Sequence, residues 1–390
     1  MNKINIVADS KIPFLKGILE PFANIEYLSP NEIDKDAVKN ADALIIRTRT
    51  HCNKSLLEGS KVKMIATATI GFDHIDRKYC NENNITWKNA PGCNADGVAQ
   101  YIIGVLALLN KIKGFQFDGK TIGIIGVGNV GKRVEKACIS LGLKILKCDP
   151  PRANQEGKND FCDLKTIAEK ADIITFHTPI TRDGEYPTFH LAEKDFFNSL
   201  KRNPVIINAA RGGVVDEEAM LEAFSNNLID EIIVDCWENE PDINSELLKK
   251  AFITTPHIAG YSADGKSNAT IMAVKNIAEF FGFEIDTTSI KPKQPENPII
   301  DVSIINKQIL ENNQTDNFNR GNSIDDLIFD EVILKSYNPE FDSNRLRTDP
   351  SSFEEQRGNY PFRREYKAYT IMCMPDNKYK EMSKKLGFNV

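Results

Sequence analysis

The stretch Thr121-Ile-Gly-Ile-Ile-Gly126-Val-Gly128-Asn-Val-Gly131, with the segment Leu143-Lys-Ile-Leu-Lys-Cys-Asp149-Pro150 that follows a helical interval, decides the fold. The apolar run Ile122 to Ile125 enters Gly126, Gly128 and Gly131 directly, as a buried parallel strand enters a tight turn and a helix. Gly126 permits the turn, Gly128 lets a pyrophosphate approach the backbone, and Gly131 lets helix and strand pack closely. The first helical turn then offers unpaired N–H groups and a positive dipole end to a diphosphate. Asp149 stands at the end of the next apolar run, 18 residues past Gly131. A carboxylate there accepts both ribose hydroxyls of NAD and repels the extra phosphate of NADP. The expected cofactor is therefore NAD, held by Gly126, Gly128, Asn129, Val130, Gly131 and Asp149, with Arg152 close by.

Outward from this stretch, the bulk numbers narrow the class. A chain of 390 residues is too long for one core. Hydrophobic content of 41% and charged content of 27% are those of a globular protein. A net charge of −6 provides no general attraction to nucleic acid or a membrane surface. The longest apolar run, Val98 to Leu109, contains Gln100 and Tyr101 and falls short of the roughly 20 apolar residues of a membrane span. The eight cysteines include no CxxC pair, and the first residues read as a strand and not as an export signal. Reduced thiols and a cytoplasmic location are the expectation, with neither nucleic acid nor membrane as partner and no metal site.

Strands are expected at Ile4 to Ala8, Ala43 to Ile46, Lys63 to Thr67 and Ile85 to Lys88, with a helix over Pro13 to Phe22. This is a small open α/β domain whose ligand edge carries Arg47, Thr48 and Thr69. From Ala95 the period turns helical through Val98, Tyr101, Ile102, Val105, Leu106, Leu109 and Ile112, with Gly114 as a stop. Beyond the glycine turn, strands at Leu143 to Lys147, Asp172 to Phe176, Val205 to Asn208, Ile232 to Asp235 and Ile253 to Thr254 alternate with helices. That alternation means a doubly wound parallel sheet. A long amphipathic helix is expected over Ala263 to Phe281. The proline-rich Lys291 to Pro298 reads as a linker. After it, Leu327 to Leu334 and Tyr369 to Met374 read as strands, and Asn377 to Leu386 as a helix.

The strands of the larger domain end in polar punctuation: Phe176-His-Thr178-Pro, Asn208-Ala209-Ala210-Arg211-Gly-Gly, Asp235-Cys-Trp-Glu-Asn-Glu240-Pro and Thr255-Pro-His257-Ile-Ala-Gly260-Tyr261. All lie on the rim expected to hold the dinucleotide, so Arg211, Glu240 and His257 can converge on a small substrate. Oxidising a 2-hydroxy acid needs a base for the hydroxyl proton as hydride leaves, and histidine titrates near neutrality. His257 is the expected base, Glu240 the carboxylate that fixes its tautomer, and Arg211 the planar clamp for the substrate carboxylate. His51 and His190 read as surface or loop residues, His74 as a turn residue and His177 as structural.

These strand-end motifs, with Gly126-Val-Gly-Asn-Val-Gly131, resemble the D-isomer-specific 2-hydroxyacid dehydrogenases. A narrower likeness, through Ala66-Thr-Ala-Thr69, Asn89-Ala-Pro-Gly-Cys-Asn94, Cys148-Asp-Pro-Pro-Arg152, Thr175-Phe-His-Thr-Pro179 and Pro256-His-Ile-Ala-Gly-Tyr261, points to one branch of that family. Its substrate is a small phosphorylated 2-hydroxy acid oxidised at C2 on a bacterial route to pyridoxal phosphate. The resemblance implies two doubly wound parallel-sheet domains, a Rossmann cofactor domain and a smaller flavodoxin-like substrate domain, plus a small α+β C-terminal dimerisation domain. The boundaries that follow are 1–96 with 263–288 for the substrate domain, 97–262 for the NAD domain and 289–390 for the last, giving a homodimer. It further implies Arg211, Glu240 and His257 in catalysis, Asp149, Thr178, Asp235 and Gly260 at the cofactor, and Thr48, Thr69 and Tyr261 at the substrate. Ala209 and Ala210 join the cofactor set at the strand end before Arg211. Arg47, with Thr48 and Arg49, is the expected phosphate contact. Ser10, Arg49 and His51 depart from the family pattern. Another dehydrogenase of the family and an NAD-sensing corepressor-like protein are the rival readings.

Overall fold

The computed structural model describes residues 3–117, 119–311 and 323–390, and divides into two units, Met1–Asn94 with Ser262–Lys293 and Ala95–Tyr261 with Gln294–Val390. The first unit is built on five parallel strands: β1 (Ile4–Asp9), β2 (Ala23–Leu28), β3 (Ala43–Ile46), β4 (Met64–Thr67) and β5 (Thr86–Lys88). They lie in the order β2-β1-β3-β4-β5, all parallel. The central strands β3 and β4 are buried at every position, as a sheet covered on both faces requires. Helix Ala263–Phe281 packs Ala273, Val274 and Ile277 against this sheet and ends at Gly282 in the left-handed region.

This unit departs from the sequence reading in two places. Pro13 to Phe22 forms turns and not a helix, because Phe14 (φ 62°) and Gly17 (φ 87°) both take left-handed backbone that interrupts any helical run. The strand Ala23–Leu28 was not anticipated. As the edge strand β2 it is partly exposed and lacks a continuous apolar run.

The second unit carries six parallel strands: β6 (Thr121–Ile125), β7 (Lys144–Cys148), β8 (Ile173–Phe176), β9 (Val205–Asn208), β10 (Ile232–Val234) and β11 (Ile253–Thr254). Their order is β11-β10-β9-β8-β6-β7. Strands β7 and β8 flank β6 on opposite sides, so the chain reverses direction of winding at β6. In open parallel sheets ligands bind beyond the carboxyl end of the strand at such a reversal, which here is where Gly126 lies.

Helix Ala95–Lys113 is long and apolar enough to cross a membrane, yet most of it is buried within the protein. It is a core helix, with Tyr101, Ile102, Val105, Leu106 and Leu109 wholly enclosed. Each such side chain contributes roughly 1.5–3 kcal/mol by leaving water. The tyrosine hydroxyl still finds a partner, Thr255 Oγ1 at 2.9 Å.

The described C-terminal elements pack on this same helix through Ile305, Leu327, Val332, Ile333 and Tyr337. A short parallel pair joins β12 (Ile299–Asp301) to β13 (Thr370–Met372). Leu327 to Leu334, expected as a strand, belongs instead to helix Ile324–Ser336. Its start is fixed by a capping box between Ser323 and Asp326. The unbroken apolar run reflects burial around much of the helix, and the buried Asp330 within it accepts a bond from Asn110 Nδ2 at 2.8 Å.

The start of helix Glu217–Ser225 is tied to the loop after β10. Glu238 N donates to Glu217 Oε1 at 2.9 Å, and Glu217 N donates to Glu238 Oε1 at 3.2 Å. Burial pushes the Glu217 carboxyl up to about 7; the bond from Glu238 N opposes this, and the charges of Glu238, Glu240 and Asp216 add to it. Folded protein thus holds a proton that unfolded chain releases near pH 4.5, and stability falls as pH rises from there to about 7. Glu217→Gln keeps the acceptor and removes the charge. Thermal melting should show it several degrees more stable than wild type at pH 8, with the gap closing toward pH 4.5; a gap independent of pH would contradict this assignment.

Candidate active site

The loop that follows β11 is shaped by one carboxylate. Asp235, wholly buried at the end of β10, accepts from Thr255 Oγ1 (2.7 Å), Ile258 N (2.7 Å) and Ala259 N (3.0 Å). Its own carbonyl accepts from His257 N at 2.8 Å. These bonds bend the chain so that His257 sits at φ 55°, a left-handed conformation uncommon outside glycine and costing about 1–3 kcal/mol. Burial pushes the Asp235 carboxyl up, while the His257 charge, the Thr255 hydroxyl and the two backbone N–H groups draw it back down. Asp235 thus organises the histidine turn.

His257 Nδ1 meets Glu240 Oε1 at 3.0 Å and Oε2 at 2.9 Å. Glu240 Oε1 also accepts from Trp237 N at 3.0 Å, and Trp237 Nε1 donates to Thr255 O at 2.9 Å. Glu240 is therefore oriented from two sides. Burial alone would raise its pKa, but the His257 bond and charge, the Trp237 N–H and the Arg357 charge outweigh it and leave the carboxyl below its usual range. An ionised Glu240 requires Nδ1 to carry the proton, which leaves Nε2 as a proton acceptor. The ligand atoms of Cys236, Glu240 and His257 lie within 4.8 Å of one another, close enough to hold a metal ion. Burial drives the Cys236 thiol well above its ordinary pKa, which disfavours the thiolate a metal would need.

Arg211 follows β9 in a turn held by Asn208, whose Nδ2 donates to Arg211 O (3.0 Å) and Cys236 O (3.2 Å) and whose Oδ1 accepts from Ala210 N (3.2 Å). Arg211 Nη1 folds back to Ala210 O at 2.8 Å. Asn208 Nδ2 thus bridges the carbonyls of Arg211 and Cys236, and the Cys236 thiol adjoins Glu240 and His257, so the arginine turn and the histidine turn are tied to one segment. Asn208 was quoted in the sequence motif without a role; the regular Asn-Ala-Ala-Arg-Gly spacing was the signal for this turn.

The glycine turn fits a dinucleotide. Gly126 lies at φ 85°, and a Cβ on it would sit 2.8 Å from the His177 carbonyl carbon; one on Gly131 would sit 2.2 Å from Gly126 O. Gly128 faces open space and caps helix Asn129–Ser140 with no side-chain bond, so the helix amides at Asn129, Val130 and Gly131 stay available to an anion. The Thr178 hydroxyl beside this turn is enclosed and has no protein partner. Asp149 Oδ2 accepts from Val127 N (2.8 Å) and Oδ1 from Arg152 N (3.1 Å). Arg152 pairs with Glu156 and donates to Val127 O, which turns it away from the role of a 2′-phosphate receptor. Ala210 is buried, while Ala209 and Gly260 are half-buried.

In the first unit, Arg47, Thr48 and Thr69 stand just past the ends of β3 and β4. Arg47 is already engaged: Nε and Nη2 form a fork on the buried Asp9 at 2.8 and 3.2 Å. Thr48 is exposed. The Thr69 hydroxyl bonds Thr67 Oγ1 at 2.7 Å, which in turn meets His74 Nε2 at 3.1 Å. Burial holds His74 down at about 4, so it stays neutral and supports the turn.

Tyr261 is half-buried after the histidine turn, edge-on to Tyr360, and it meets Arg357 Nη2 at 3.5 Å. Arg357 Nη1 is also 4.0 Å from Glu240 Oε2. No motif in the sequence singled Arg357 out, because it lies 96 residues from Tyr261 in a stretch without a recognisable pattern.

Residues 105–259 match the family model of the D-isomer specific 2-hydroxyacid dehydrogenase NAD binding domain, and residues 309–387 match a domain of unknown function. The chain is 48% identical over 370 residues to the erythronate-4-phosphate dehydrogenase of Bacteroides thetaiotaomicron, spanning 95% of this chain and 99% of that one. It is 36% identical to the enzyme of the same name from Hydrogenovibrio crunogenus, spanning 99% and 98%. Among solved structures, the NAD+-bound 3-phosphoglycerate dehydrogenase of Entamoeba histolytica superposes with a TM-score of 0.61 at 27% identity, over 72% of this chain and 95% of that one. A matched NAD-binding domain, a dehydrogenase fold and relatives matched along nearly their whole length lead to one conclusion: the chain is an NAD-dependent dehydrogenase and belongs to the D-isomer-specific 2-hydroxyacid dehydrogenase family, among the erythronate-4-phosphate dehydrogenases.

Proposed function

We propose that the protein oxidises 4-phospho-D-erythronate at C2 to the 2-oxo acid, as a step toward pyridoxal phosphate. The bond from His257 Nδ1 to Glu240 carries this reading, because it leaves Nε2 as an acceptor for the C2 hydroxyl proton. Relatives named for this substrate, matched end to end, supply the rest.

When bound, NAD takes the hydride at its nicotinamide ring. The chain's own groups do the remaining work. Gly126, Gly128 and the amides of Asn129, Val130 and Gly131 receive the pyrophosphate, with Thr178, Ala209, Ala210 and Gly260 along the rim. Asp149 takes the ribose hydroxyls and selects NAD. Arg211 clamps the substrate carboxylate and the oxygen on C2. His257 accepts the hydroxyl proton, and the ionised Glu240 stabilises the imidazolium that results. Thr48, Thr69 and Tyr261 contact the substrate hydroxyls, and Arg47, fixed by Asp9, contributes its remaining Nη1.

The C-terminal residues also support a homodimer. Among the described residues, seven of the ten exposed large apolar side chains fall within 294–390, including Phe341 and Phe362. A second copy seated on these side chains would remove their apolar surface from water. The cytoplasm is the compartment that suits the reduced cysteines and a soluble cofactor.

An NADH-absorbance assay over phosphorylated and plain 2-hydroxy acids tests the substrate. The highest kcat/KM is expected with 4-phospho-D-erythronate; preference for an unphosphorylated acid would move the assignment to another member of the family. His257→Asn should lower kcat by roughly 10²–10⁴-fold while NADH binding, read by fluorescence, is retained. Near-normal turnover would remove His257 as the base. Light scattering coupled to size exclusion should give twice the chain mass at micromolar concentration, and a monomer there would refute the dimer.

A further inference from the structure

The residues that match a domain of unknown function bring a guanidinium to the edge of the His257–Glu240 pair. Arg357 is near the end of the short helix Phe353–Gly358, with only 21% of its side chain exposed. Its Nη1 donates to Glu354 Oε1 at 2.7 Å, its Nη2 reaches the Tyr261 hydroxyl at 3.5 Å, and its Nε is enclosed without a partner.

A guanidinium has five N–H donors, and here they outnumber the acceptors within reach. Glu240 does not depend on Arg357 for its orientation, since His257 and Trp237 already hold it and 4.0 Å is beyond hydrogen-bond distance. The Glu354 partner is 42% exposed, and such a surface pair is worth only about 0–1 kcal/mol, so it yields readily to a stronger anion. Arg47 differs in kind: both arms of its fork are on a carboxylate with no exposure at all.

On the reading that the substrate is a phosphorylated 2-hydroxy acid, we propose that Arg357 is a substrate-binding residue that receives the phosphate while Arg211 holds the carboxylate. Nε and Nη2 present the planar pair of donors that matches two phosphate oxygens. The Tyr261 hydroxyl stands beside them as a further donor. The C-terminal residues thereby take part in choosing the substrate as well as in packing on the core.

The full-length protein with Arg357→Met and Arg357→Lys tests this, with kcat/KM measured for 4-phospho-D-erythronate and for D-erythronate across pH. Arg357→Met should cut the preference for the phosphorylated acid by about 100-fold, chiefly through KM, as loss of a charge-assisted contact does. Arg357→Lys, which keeps the charge and loses the fork, should cut it by about 10-fold. A preference that survives both substitutions overturns the inference alone. Equal losses on both acids would also overturn it, because Arg357 would then act through Glu240 and not on the phosphate. Should Arg357→Met fail to bind NADH, Arg357→Lys decides by the same criterion. Wild-type protein that does not distinguish the two acids overturns the substrate reading and this inference together.

Discussion

A single carboxylate with no access to water holds the chemistry in place. Asp235 gathers the Thr255 hydroxyl and the Ile258 and Ala259 amides around itself, and in doing so bends the backbone through the left-handed turn at His257. Remove that carboxylate and the three bonds that offset the unfavourable φ of His257 are lost. Thr255 extends the arrangement: its hydroxyl meets Tyr101 in the core helix, and its carbonyl receives the Trp237 indole. The core of the second unit and the geometry of the histidine turn are therefore one mechanical object. The C-terminal residues join it at the same place, where Arg363 donates to the carbonyls of Gly97 and Ala259 from a buried position.

Much of this was legible because parallel sheets covered on both faces write themselves as short apolar runs. Strands β6 to β11 and helices Ala95–Lys113 and Ala263–Phe281 fall where the periodicity places them. The strand ends were legible for a related reason: in such sheets ligands gather beyond the carboxyl edge, so polar residues directly after apolar runs are the natural place to look. His257 and Glu240, drawn from two such ends, do meet.

What was not legible has physical causes. The turns of 13–22 imitate a helix in composition, and only the left-handed φ of Phe14 and Gly17 breaks the pattern. The run 327–334 imitates a strand because a helix enclosed by its neighbours loses its polar stripe. Asp9 and Arg47 are 38 residues apart, and no spacing rule connects a buried acid to the cation it neutralises. Arg357 is the extreme case, since its neighbours Glu240 and Tyr261 come from another part of the chain and only the fold brings them near. Local chemistry reads out from sequence; pairings made by packing do not.

An ionised Glu240 makes His257 the proton acceptor by stabilising its charged form. The most direct measurement is the pH dependence of kcat/KM for oxidation in Glu240→Gln against wild type. A neutral amide stabilises imidazolium less, so the acid limb should move to lower pH, with a fall of roughly 10–10³-fold on the plateau. An acid limb that stays where it is in wild type would remove that role from Glu240.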